Sequence, residues 1–275
     1  MMLTIRNMET TPPMSDEPMV SGDWTGLVYF AVTGKGDREC NEDFFGHAVD
    51  ADTLTFVVSD GVGGQAGGAA ASRLVVDMVR GQAHALDRDE MLRSYETIEG
   101  EIRRRQERCP EHKKMGATVA ELRIDFVRQL ALWGHFGDSR IYWFRNQEIL
   151  SVTSDHSVVK SLAAAGLISE RDAASHAKKN VLLGAFGVAT DIAPEVSEKP
   201  VYLAEGDAFL LCTDGLWSYV PDAQIVETLK QSRDVASWVK ALEAQVRQAP
   251  FENKDNYTIL GVWITSAYDR TIPLK

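Results

Sequence analysis

Five aspartates stand where apolar runs stop. Asp60 closes TLTFVVSD and precedes Gly61-Val62-Gly63-Gly64, and Asp214 follows DAFLLCT. Asp255 lies in NKDN directly before YTILGVWIT, Asp138 follows WGHFG, and Asp43 closes the turn GKGDRECNED. An ionised carboxylate at the mouth of a buried strand is costly unless it is paired or bound to a cation. Few basic residues flank these acids; Arg38, Arg140 and Lys254 are the near ones. An all-oxygen donor set suits Mg²⁺ or Mn²⁺ rather than zinc. Taken singly, Asp-Gly is a common turn pair. Five acids at apolar strand ends favour a cation centre over five turns.

Other chemistries fit less well. Cys40, Cys109 and Cys212 are sparse and lack CxxC spacing, which excludes a disulfide framework and a zinc ribbon. Neither Cys109 nor Cys212 is followed by the CxxxxxR loop of a thiol nucleophile, and Cys212 among Phe209, Leu210 and Leu211 reads as core. The run Gly63–Gly68 has neither a GKS/T ending nor GxGxxG spacing, so it is no nucleotide loop. Cysteine usage fits a reducing cytosol, and a cytoplasmic location is expected.

These residues need a sizeable scaffold, and 275 residues with 44% hydrophobic and 25% charged side chains supply one. Lys and Arg number 29 against 40 Asp and Glu, a net charge of −11, which disfavours nucleic acid and anionic lipid as partners. No apolar stretch approaches the ~20 residues of a membrane span, and no membrane partner is expected. The opening MMLTIRNMETTPPMSDEPMVSG lacks the apolar core of a signal peptide. The expected organisation is a flexible tail over 1–23, one domain over 24–268 and a C-terminal tail over 269–275, in a monomer.

Periodicity places strands at Gly26–Val32, Phe44–Asp50 and Thr53–Asp60, then helices over Ala69–Ala85 and Asp87–Arg108. GATVAELRI, QLALWGHFG, SRIYWFRN and QEILSVT read as an antiparallel meander. Asp155–Lys179 turns helical and polar, broken by Gly166; strands follow at Pro200–Leu203 and Asp207–Thr213. Helices over Asp222–Lys230 and Asp234–Gln248 precede a last strand, YTILGVWIT. Without strict βαβ alternation the class is α+β.

In order along the chain stand R-x-x-N-E-D (Arg38 to Asp43), V-S-D-G-V-G-G with A-G-G-A-A-A-S, M-G-A-T, F-G-D-S-R, S-D-H-S, G-D-A-F-L-L-C-T-D-G-L and K-D-N-Y-T. Through these motifs, from about Leu27 to Thr265, the chain resembles the metal-dependent Ser/Thr protein phosphatases of the 2C type in their bacterial form. The resemblance implies a four-layer α-β-β-α sandwich, two antiparallel sheets flanked by helices, with metals at one end. It implies hydrolysis of phosphoserine and phosphothreonine in proteins by a metal-bridging hydroxide, opposing a cognate Ser/Thr kinase. Two Mn²⁺ or Mg²⁺ ions and a third are implied.

By the same resemblance Asp60 bridges two metals, with the Gly61 carbonyl on one, glycine letting the main chain turn its oxygen inward. Asp214 and Asp255 complete the second metal with Asp43 or Glu42, of which Asp43 is favoured and Glu42 placed nearby. Asp138 with Asp214 holds the third. Arg38 is the phosphate-binding arginine, its planar fork matched to two phosphate oxygens; the plain alternative is a surface ion pair with Glu39 or Glu42. Residues 155–180 match a mobile flap, with His176 approaching the leaving group or simply exposed at a helix end. His156 reads as a structural hydrogen-bonder. Two departures stand out: Val62 occupies the position of a histidine acid of animal members, and Gly184 that of a bacterial arginine. The competing reading is a catalytically inactive scaffold binding phosphoproteins or regulators; the presence of all five acids favours the enzyme.

Overall fold

The computed structural model describes residues 19–265 apart from 25, 51, 64–65, 83–84, 170–175 and 177–180. The chain opens with β1 (Met19–Trp24), β2 (Leu27–Gly34), β3 (Phe44–Asp50), β4 (Thr53–Ser59) and the short β5 (Gly61–Val62). Two helices follow, α1 (Ala66–Arg80) and α2 (Arg88–Arg108), the second started by the Asp87 side chain accepting from the Glu90 N–H. Then come β6 (Gly116–Ala117), β7 (Val119–Asp125), β8 (Leu130–Phe136), β9 (Arg140–Arg145), β10 (Glu148–Val152) and α3 (Val158–Ala164). The last part holds β11 (Glu195–Val196), β12 (Val201–Tyr202), β13 (Ala208–Cys212), α4 (Asp214–Trp217), α5 (Asp222–Gln231), α6 (Val235–Gln248) and β14 (Tyr257–Ile264). A reciprocal box between Asp234 and Ser237 starts α6.

One antiparallel sheet runs β1-β2-β14-β13-β9-β10, the other β11-β8-β7-β4-β3 with β12 also on β8. Alternation along each strand decides which layer a side chain joins. Leu27, Tyr29 and Ala31 of β2, Phe209 and Leu211 of β13, and Leu260 of β14 meet Phe56, Val58 and Leu122 between the sheets. The neighbouring residues Leu210, Cys212 and Ile259 point outward onto Ile225 of α5 and Trp238, Val239 and Leu242 of α6. On the far face Val57 and Leu132 pack beneath Val75 and Val79 of α1 and Met91, Ile98 and Ile102 of α2. The layers therefore run helix, sheet, sheet, helix. Full burial of each large apolar side chain contributes about 1.5–3 kcal/mol. Among the described residues no helix is long and apolar enough to cross a membrane.

Two expectations need correction. A strand already covers Met19–Trp24, inside the expected tail, because MVSGDW pairs residue for residue with β2, a backbone ladder at a sheet edge that needs no apolar period. The four-strand meander is divided: β7 and β8 pair in one sheet, whereas β9 and β10 belong to the other. The cause is Gly137, whose φ of +110° swings the chain between sheets. In the polar stretch 155–179 the helix Val158–Ala164 ends before Gly166. Most of 1–23, the 269–275 tail and much of the 155–180 flap lie outside the described residues.

Candidate metal centre

Strand register alone brings the five acids to one end of the sandwich. Phe44 pairs with Ser59, so Asp43 before β3 and Asp60 after β4 are neighbours. In the other sheet Cys212 pairs with both Arg140 and Ile259, which sets Asp214, Asp138 and Asp255 at one edge. The Gly137–Ser139 crossover joins the two groups. Asp214 opens α4 rather than ending β13, with Thr213 as its cap residue.

Threonines hold the carboxylates. Buried Asp43 accepts through one oxygen from Thr213 Oγ1 at 2.8 Å and Thr258 Oγ1 at 2.9 Å. Its other oxygen, Oδ1, is buried without a hydrogen-bond partner. Thr118 Oγ1 receives the Asp60 N–H at 2.9 Å, the Thr118 N–H reaches the Asp60 carbonyl at 2.9 Å, and Ser139 Oγ lies 2.7 Å from the same hydroxyl. Asp255 takes the Asn256 N–H at 2.9 Å, while Asn256 accepts the Glu42 N–H at 2.8 Å. Thr118, Thr213, Asn256 and Thr258 all lie inside motifs quoted above. Their individual roles were invisible there, because threonine is an ordinary strand residue.

The acids share one field. Burial pushes the Asp43 carboxyl up to about 7, against the lowering hydrogen bonds from the two threonines. Burial raises Asp60 well above the carboxylate range, and Asp43, Asp214, Asp138 and Asp255 raise it further. Asp214 is raised likewise, by burial and then by Asp138, Asp255 and Asp43. Asp138, 4% exposed, is pushed to about 7 by burial and the Asp155 charge, with Arg140 opposing. Arg140 is committed elsewhere, and Arg38 Nη2 reaches only Asp255 Oδ2, at 2.7 Å. Five clustered carboxylates facing one half-exposed guanidinium, with an orphaned buried oxygen among them, fit divalent cations.

Arg38 thus pairs with Asp255, not with Glu39 or Glu42, and keeps its side chain 56% exposed at the rim. The Glu42 carboxylate lies over Gly68, where an added Cβ would collide with it, so Asp43 is the member of the pair inside the cluster. Gly61 has no positive φ, and an added Cβ there would collide with the Gly68 backbone. Val62 lies on β5 with no proton to give. Gly184 is buried against Phe136, Ile192 and His156, leaving no room for a side chain. His176 is half-buried, and the residues on both sides of it lie outside the described ones.

A buried scaffold supports Asp138. Arg140 grips Asp155 with two bonds of 2.7 Å and stacks 3.9 Å above the Trp217 ring, whose Nε1–H donates to the Asp138 carbonyl at 2.9 Å. His156 Nδ1 accepts the Gly137 N–H at 3.1 Å, and its own N–H returns to the Gly137 carbonyl at 2.9 Å. His135, His156 and Glu195 form a tighter cluster of ligating atoms than the aspartates, all within 4.8 Å. Three of its four ring nitrogens have partners: besides His156 Nδ1, His135 Nε2 meets the Ser154 carbonyl at 2.9 Å and His156 Nε2 meets Glu195 at 3.3 Å. That cluster braces the crossover.

A family model described as protein phosphatase 2C matches residues 35–254. The serine/threonine phosphatase stp of Listeria innocua is 32% identical over 232 residues, covering 81% of this chain and 90% of that protein. The serine/threonine phosphatase of S. agalactiae superposes with a TM-score of 0.76 at 29% identity, over 86% of this chain and 99% of that one. The catalytic domain of serine threonine protein phosphatase PstP, solved in complex with two manganese ions, matches with a TM-score of 0.72 at 27% identity, over 87% and 99%.

Proposed function

The chain belongs to the protein phosphatase 2C family, and from that premise we propose that Asp43, Asp60, Asp214 and Asp255, with the Gly61 carbonyl, hold two Mn²⁺ or Mg²⁺ ions for its protein serine/threonine phosphatase activity. Asp138 with Asp214 holds a third. The observation that carries this reading is the buried Asp43 Oδ1 with no partner, inside a group of acids that each raise their neighbours. Bound ions supply acidified water at neutral pH and offset charge on the phosphoryl oxygens.

The chain's own residues do the rest. Arg38 stands at the rim with a free face to grip phosphate oxygens, and its bond to Asp255 fixes where that grip occurs. Thr213 and Thr258 hold one Asp43 oxygen so that the other points to the centre. Thr118 fixes the backbone of Asp60 from both sides. Cys212 is buried in the outer core and its thiol is raised by desolvation, so it takes no part as a nucleophile. The substrates are proteins that a Ser/Thr kinase has phosphorylated, and His176 lies in the segment that would approach them.

The test is phosphate release from a phosphothreonine peptide. A chelator should abolish release and added Mn²⁺ or Mg²⁺ should restore it, with Asp60→Asn inactive yet folded by circular dichroism. Release that persists in excess chelator would contradict the proposal.

A further inference from the structure

We propose that a basic cavity beside Arg38 receives a second phosphate of the substrate, two to four residues from the one removed. This deepens the phosphatase reading and rests on it. The cavity is an open cleft of about 350 Å³ whose polar lining is Lys35, Asp37, Arg247, Lys254 and Tyr257. Among the described residues Lys35 and Lys254 form no ion pair, and Arg247 meets Glu243 only at 3.6 Å. Glu243 also takes the Tyr257 hydroxyl at 3.0 Å, and Asp37 accepts the Lys254 N–H at 2.9 Å, so both acids are partly occupied. Three cations against two acids leave a local excess of positive charge on a chain that carries −11.

Position links the cavity to the reaction. Asp37 is followed by Arg38 and Lys254 by Asp255, and the Asp37 N–H reaches the Lys254 carbonyl at 3.0 Å. The two loops that line the cavity are therefore those whose next residues make the 2.7 Å Arg38–Asp255 pair. An extended peptide advances about 3.3 Å per residue, so a phosphate held at Arg38 places a neighbour a few residues away over the cavity. Lysines approaching from separate loops suit a tetrahedral dianion carrying about −1.5 to −2 charges better than a single carboxylate.

The experiment compares a phosphothreonine peptide of otherwise uncharged residues with versions carrying a second phosphothreonine at each position up to four away. Steady-state kinetics are run with Mn²⁺. At one or more spacings KM should fall about fivefold to tenfold, beyond the roughly twofold gain expected from two equivalent phosphates. The gain should vanish in the Lys35→Ala/Arg247→Ala double variant and shrink at high salt, while the singly phosphorylated peptide is hydrolysed as by wild type. Glutamate in place of the second phosphate should gain less; an equal gain would overturn the preference for phosphate. No gain at any spacing, or a gain that survives the double variant, would overturn the inference and leave the phosphatase reading standing. Failure to hydrolyse even the singly phosphorylated peptide would instead remove the parent reading, and this one with it.

Discussion

Arg38 carries the plainest residue-level consequence of the site. Among the described residues it is the one cation bonded to the aspartate cluster from the rim, and its guanidinium has donors left over after the bond to Asp255. A charged hydrogen bond contributes about 1.5–3 kcal/mol, and 56% exposure puts Arg38 near the lower end. Arg38→Ala should lower kcat/KM on a phosphothreonine peptide roughly tenfold, and Arg38→Lys should recover only part. An unchanged kcat/KM in Arg38→Ala would remove it from phosphate binding. Asp138 makes a different claim. A serine or threonine alkoxide leaves badly without a proton, whereas p-nitrophenolate leaves as a stable anion. With Val62 unable to donate, Asp138→Ala should lose most phosphopeptide turnover yet keep much of its p-nitrophenyl phosphate turnover. Equal losses in kcat on both substrates would give Asp138 a general supporting role. The five aspartates were legible in the sequence because a charge at the end of an apolar run has no packing explanation. Thr213 and Thr258 were not, because a threonine that feeds a carboxylate and one that merely pairs in a strand have the same local pattern.

Elements matter here chiefly through the crossover between the sheets. Gly137 and Asp138 are bracketed by His156 on one side and by the Trp217 indole on the other, and Trp217 is itself stacked under Arg140. Asp155, 8% exposed, is the bidentate partner of that arginine. Removing one partner of a buried pair strands the other, a cost of about 3–5 kcal/mol. Asp155→Ala should therefore lower the unfolding free energy by that amount, read as the urea midpoint shift times the slope, whereas a surface acid such as Glu198 should change it hardly at all. Trp217→Phe keeps a ring under Arg140 but drops the N–H to Asp138. It should weaken Mn²⁺ binding in a calorimetric titration more than it lowers the melting temperature; the reverse order would make Trp217 a packing residue only. Most strands and both long C-terminal helices were visible as periods of two and 3.6. The crossover was not: QLALWGHFG and SRIYWFRN alternate alike whichever sheet receives them, and only the φ of Gly137 separates them. The edge strand β1 was missed because MVSGDW carries no apolar alternation.

Over the whole molecule the acids set a conflict between folding and charge that metal resolves. Asp43 has a carboxyl at about 7 in the fold against 3.8 ordinarily, so the folded state holds its proton more tightly than the unfolded one. That contribution is complete below about pH 4 and is lost as pH rises through 7; Asp138 behaves alike. In chelator, wild type should lose several degrees of melting temperature from pH 5 to pH 8 relative to Asp43→Asn. Mn²⁺ at a hundredfold its Kd should return about 2.7 kcal/mol per site. Parallel melting curves for the two proteins across that range would mean that the Asp43 charge is already compensated without metal. The four-layer plan was legible through the ordered motifs, since both sheets and both helical layers follow once the strands are set. The cavity beside Arg38 was not, because Lys35 lies far along the chain from Arg247 and Lys254, and the Asp37–Lys254 pairing that brings its loop to theirs leaves no local pattern. Whether these acids form a metal centre is decided by titrating Mn²⁺ into the metal-free chain by calorimetry while assaying phosphopeptide hydrolysis at each addition. Activity should appear as the first two ions bind, and Asp60→Asn should bind fewer and stay inactive. Full activity with fewer than two ions bound at saturation would contradict a two-metal centre.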